Sequence, residues 1–177
     1  MEVVTREDEE LLLELLNTTP VVDGESTDEL ADRDSALAWA AAHGGAGSSG
    51  EIARLRRVRT ALQDVIRGAG DAQLLEEHVE RIALRPSLHT GALTWELQAP
   101  ADERLAARVL LAWAAIHERA PGRIRPCANP ACCRFLHDRS NANTARWCSM
   151  ALCGNRFKAR RHYQRTRKPA DGSTASS

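Results

Sequence analysis

All five cysteines fall in one short stretch, and four of them form two equally spaced pairs, Cys127-x4-Cys132 and Cys148-x4-Cys153, fifteen residues apart. Two close pairs on separate turns can place four thiolates at the corners of a tetrahedron, which is the geometry of a structural zinc site. The residues between the pairs suffice for a hairpin. Phe135, Leu136, Trp147, Met150 and Phe157 are nearly all the large apolar side chains nearby. That is too little for an independent core, and domains this small generally need a metal or disulfides. The competing readings are four buried thiols or a redox pair. Cys133 could replace Cys132 as a ligand or act as an exposed redox thiol, but the symmetry of the pairs favours Cys132. With four cysteines placed, His137 and His162 are expected on the surface or against phosphates.

The formal net charge of zero conceals a division. Residues 1–120 carry 12 basic and 22 acidic side chains, a balance of −10, whereas residues 121–168 carry 12 basic side chains against Asp138 alone, a balance of +11. Such asymmetry points to two units with different partners. Four zinc-bound thiolates would still leave the second unit at +9, a field that favours a polyanion. It also permits docking on the acidic unit of the same chain, and the two could coexist as an autoinhibited state.

The first ten residues are acidic and show no targeting pattern. The longest apolar stretch, 105–116, is interrupted by Arg108 and is too short to span a bilayer. No membrane association is expected, and the expected location is cytoplasmic. In a reducing compartment, clustered cysteines are more often metal ligands than disulfides.

Apolar spacing predicts helices over 7–16, 34–43 (capped by Asp32 or Asp34), 51–68 and 101–119. Asp71 is expected to cap a further helix to about Leu84, stopped by Pro86, with a short hairpin within 87–98 around Gly91. Glu76, Glu77 and His78 fit a solvated helix face, and 44–50 (GGAGSSG) a flexible loop. Pro121 and Gly122 mark a boundary. The expected fold class is α+β: a mostly helical domain over 1–120 with a short β-hairpin, a small treble-clef-like zinc module (β-hairpin plus C-terminal helix) over 121–168, and a disordered tail over 169–177.

Met150, Cys153 and Phe157 share one face of a helix that follows the second cysteine pair, and the apolar seam ends at Phe157. Arg156, Lys158, Arg160, Arg161 and Arg165 dominate its other faces, so the distal helix is expected to project and contact phosphates or base edges. Arg139 and Arg146 could add backbone contacts from the hairpin.

The run from Arg146 to Arg160, with Cys153-Gly154-Asn155-Arg156 within it, resembles the CGNR zinc-finger signature. Upstream, Phe135-Leu136-His137-Asp138-Arg139-Ser140 is similar to the family's F-x-D-x-S segment, with Leu136 where an aromatic is usual and Cys133 where glycine often stands. The resemblance covers about 123–165 and implies a zinc domain that binds DNA. The N-terminal part resembles the ABATE domain through Leu13-Glu14-Leu15-Leu16-Asn17-Thr18, Leu30-Ala31-Asp32 and Leu55-Arg56-Arg57-Val58-Arg59, with Glu14 where Asp is usual. Such proteins are regarded as stress-induced bacterial transcription regulators, and their N-terminal domain as a sensor of a small ligand. That implication makes Asn17 and Arg59 the polar candidates for a ligand site. Without it, Asn17 caps a helix end and Arg59 forms an ion pair.

These readings converge on a transcription regulator that binds duplex DNA through one structural Zn2+. The alternative is a zinc-stabilised RNA- or protein-binding module. Only Tyr163 offers a stacking ring on the exposed helix, which favours duplex DNA over single-stranded RNA. An enzyme is not expected, because four cysteines close the metal site and no Gly-rich phosphate loop or metalloprotease pair occurs. A single short basic helix reads few bases, which favours a homodimer.

Overall fold

The computed structural model describes residues 4–22, 24–89, 91–155, 157–159 and 163. Helix α1 (Arg6–Leu16) begins at a capping box in which Thr5 and Asp8 satisfy each other's backbone N–H groups. Its Leu11, Leu12, Leu15 and Leu16 are buried. Strands β1 (Val21–Val22) and β2 (Glu25–Ser26) form a minimal antiparallel pair. Asp32, rather than Asp34, caps α2 (Arg33–Ala42) by accepting from Ser35 N–H. Ser48 caps α3 (Ser49–Arg67), which ends at Gly68 in the left-handed conformation, φ 73°.

The glycine-rich loop before α3 differs from expectation. Buried Glu51 accepts hydrogen bonds from Ala46 N–H at 3.1 Å and Gly47 N–H at 2.9 Å, fixing the turn. A Cβ at Gly45 would lie 2.7 Å from Leu105 and 2.8 Å from the Ala40 carbonyl oxygen, so the backbone is wedged between neighbours. A carboxylate placed to accept two backbone N–H groups orders a segment whose composition alone reads as flexible.

A second correction concerns the segment after Asp71. That residue caps only a 3-10 turn, and the short helix α4 (Glu76–Val79) ends well before Leu84. Leu84 and Pro86 instead lie in β3 (Ala83–His89), which pairs antiparallel with β4 (Ala92–Gln98) around Gly91 at φ 82°. A two-stranded sheet has open edges, where proline's missing N–H breaks no required ladder. His78 is also not solvated. It is 4% exposed and packs its ring nitrogen against Arg54 at 3.1 Å, while Arg54 and Arg81 both pair with Glu103.

Helix α5 (Arg104–Arg119) completes the bundle. The core lies where α1, α3 and α5 meet, with α2 against α3. Antiparallel strands β5 (Ile124–Pro126) and β6 (Phe135–His137) follow. Ile124 and Phe135 belong to the same continuous core as the helical leucines. The architecture is α+β: a helical N-terminal region into which the β1–β2 and β3–β4 pairs are inserted, then the β5–β6 pair and a C-terminal cysteine cluster. Among the described residues, no helix is long and apolar enough to cross a membrane.

Candidate metal centre and nucleic-acid interface

Strand β5 delivers Cys127, whose N–H continues the hairpin by donating to the Arg134 carbonyl at 2.8 Å. The chain turns back over Asn129, whose carbonyl accepts from Cys132 N–H at 2.8 Å. The second pair is set by Ser149. Its hydroxyl accepts from Leu152 N–H at 3.0 Å, and its carbonyl accepts from Cys153 N–H and from Gly154 N–H, each at 3.1 Å, the Gly154 bond closing a single π-helical turn, Met150–Gly154. Two further bonds lock the pairs together: Ala128 N–H to the Arg146 carbonyl at 2.8 Å, and Cys148 N–H to Cys127 Sγ at 3.4 Å.

The four sulfur atoms lie within 4.8 Å of one another. Cys132 and Cys148 Sγ are 3.8 Å apart, and Cys148 and Cys153 Sγ 3.7 Å. A zinc–sulfur bond of about 2.3 Å gives a tetrahedron with edges of about 3.8 Å. A disulfide would need about 2.05 Å, and all five thiols are free. Burial pushes the Cys132 and Cys148 thiols up. At Cys153 burial opposes ionisation, but hydrogen bonds from the Asn129 amide (3.4 Å) and neighbouring thiols win and draw it down. Such a group of buried sulfurs can ionise fully only around a cation, so the residues fit one structural Zn2+ held by Cys127, Cys132, Cys148 and Cys153. Cys133 stands outside the group, exposed, with its carbonyl accepting from Arg67 at 3.2 Å.

Asp138, the sole acid among residues 121–168, organises the loop between the pairs. Its carboxylate accepts from Ser140 N–H and Oγ, from Ala145 N–H and from Arg125. The Ser140 hydroxyl leads these bonds in holding the carboxyl below the usual range, against the effect of burial. Arg125 also reaches the Gly122 and Ala145 carbonyls, and Arg123 those of Asp138 and Ser140. These two arginines are internal struts. A lone acid in a basic segment was the available signal for this network, and sequence reasoning did not use it.

The expected nucleic-acid contacts separate into groups. Arg139 turns back to α1, 3.3 Å from Glu9 and 3.9 Å from Glu10. Arg146 is exposed beside the Trp147 ring, and Lys158 is exposed on the helical backbone that continues at 155, 157–159 and 163. Arg156, Arg160, Arg161 and Arg165 lie outside the described residues, as do His162 and the 169–177 tail. Phe157 packs on Trp147 with ring centroids 4.7 Å apart. His137 is mostly covered rather than on the surface, its Nδ1 3.9 Å from Glu9.

Asn17 and Arg59 are both engaged within the fold, at different places. Asn17 clasps the backbone of Phe135 from both sides: its Oδ1 accepts from Phe135 N–H at 2.7 Å and its Nδ2 donates to the Phe135 carbonyl at 3.2 Å. Arg59 is 4% exposed and donates to both Asp28 oxygens and to Thr18 Oγ1, each at 2.7 Å. Arg67 lies over the Phe135 ring, 4.6 Å from its centroid. The first region thus grips β6, the strand between the two ligand pairs.

Family comparisons agree with this geometry. The profile described as "CGNR zinc finger" matches residues 123–166, and the ABATE profile, described as "Putative stress-induced transcription regulator", matches residues 9–120. The chain belongs to the ABATE family. Its ABATE domain precedes the CGNR finger, the order expected from the resemblance. No curated protein gives a match. Within the CGNR finger the signature starts at ligand Cys153 and leads directly into the helical backbone.

Proposed function

We propose that this protein is a cytoplasmic transcription regulator that binds duplex DNA through its CGNR finger and is tuned by its ABATE domain. The observation that carries this reading is the root of the basic helix in the sulfur tetrahedron: Cys153 is a ligand, and Lys158 follows on exposed helical backbone. Zinc supplies no chemistry here beyond fixing the fold, since four protein ligands close its coordination. The chain's own residues do the rest. Arg146, Arg156, Lys158, Arg160, Arg161 and Arg165 meet phosphates or base edges, and Arg139 joins them when its acids on α1 release it.

Ligand sensing fits the same frame. Asn17 ends α1 and grips Phe135, while Arg59 holds Asp28 and Thr18, the residue that follows Asn17 in the chain. A small molecule that competed for Asn17 or Arg59 would loosen or tighten the hold on β6 and so move the finger.

The experiment is a selection from random duplex DNA with zinc-loaded protein, followed by titration at several salt concentrations. Enrichment of a sequence, with affinity falling steeply in salt, supports the reading. Preference for structured RNA in direct competition would replace it with an RNA-binding module.

A further inference from the structure

The β3–β4 hairpin carries an apolar face that the chain itself only half covers. In its register Leu84 opposes Leu97, Pro86 opposes Trp95 and Leu88 opposes Leu93. Alternation places these six side chains on one face. At the base, Leu84 and Leu97 sit beside Leu111 of α5 and are partly covered. Towards the tip none of the described residues covers the face: Leu88 is 74% exposed and Leu93 60%. Beside the base lies a cleft of about 370 Å³, walled by Leu75, Val79, Ile82, Leu110, Trp113 and Ala114. The chain therefore carries an apolar tip and an apolar socket.

The two cannot meet within one chain. Leu88 stands four residues beyond Leu84, about 13 Å further along an extended strand, and Leu84 already walls the cleft. We propose that the hairpin is a dimerisation arm: Leu88 and Leu93 of one copy enter the cleft between α4 and α5 of a second copy, and reciprocally. A knob and its socket on the same chain form a closed pair under two-fold symmetry, each contact made twice. Charge supports this occupant. The N-terminal unit carries −10, so two copies of it approach most favourably where the contact itself adds no like charge. None of the six hairpin residues and none of the residues that line the cleft is charged. A polyanion finds no cation there. The inference stands on the ABATE domain alone and is independent of the nucleic-acid reading.

The test is sedimentation velocity on zinc-loaded full-length protein at about 50 µM, far above a micromolar dissociation constant. The wild type is expected at twice 19.4 kDa. Leu88→Asp with Leu93→Asp removes the knob, and Ala114→Arg blocks the socket; all three positions are exposed, and zinc content and circular dichroism are expected unchanged. Each variant is expected to dimerise at least about tenfold more weakly. An equimolar mixture, in which one knob still meets one socket, is expected to hold more dimer than either variant alone. A monomeric wild type, a dissociation constant from a dilution series that either change leaves unaltered, or a mixture with no gain would overturn the proposal.

Discussion

Arg59 sits inside the ABATE domain with its charge matched by Asp28, whose side chain is 31% exposed. The Arg59 guanidinium leads in holding the Asp28 carboxyl below its ordinary value, against burial, with the Leu30 N–H assisting. A depressed carboxyl contributes stability that is fully present above its unfolded value, about 3.9, and is lost as pH falls through the lower folded value. Asp28→Asn is therefore expected to lower the thermal midpoint at neutral pH. The gap from wild type should close below about pH 4, and thermal scans across pH check it. Removing the partner of a buried charge costs about 3 kcal/mol, the low end of its range because Asp28 is partly solvated. At the metal, Cys148→Ser should release zinc, whereas Cys133→Ser should keep one zinc per chain; metal analysis of both separates ligand from neighbour.

Phe135 links the two profile matches at the scale of elements. It is a finger residue by sequence and a core residue by burial, at 1% exposure. Phe135→Ala is expected to destabilise the whole chain by about 3–5 kcal/mol in urea unfolding, not the finger alone. Asn17→Ala leaves the Phe135 N–H unpaired and should cost about 1–3 kcal/mol while zinc content stays constant. Most of this level was legible beforehand. The long helices, the paired cysteines and the hairpin around Gly91 follow from spacing and caps. What escaped depends on contacts distant in sequence. Nothing around Asn17 announces a partner 118 residues away. Nor does a glycine-rich loop disclose the Glu51 carboxylate that orders it, and Pro86 reads as a helix stop unless an open strand edge is known to await it.

Across the whole molecule, the −10 and +11 regions meet at the start of α1. Glu9 is 2.7 Å from Arg119 and 3.3 Å from Arg139, with His137 close by. Glu9→Gln together with Glu10→Gln is expected to free Arg139 and tighten DNA binding several-fold. The logarithmic salt slope should steepen by up to about 0.9 for the one phosphate gained. Lys158→Ala should flatten it by a similar amount; titrations at four salt concentrations measure both. The clasp on β6 carries a consequence for the target site. A finger whose central strand is built into the neighbouring domain cannot swing on a tether, so the two helices of a symmetric pair would be held like the points of a fixed compass. Recognition sites would then repeat at one centre-to-centre separation, and adding or deleting a few base pairs between them should abolish binding instead of grading it.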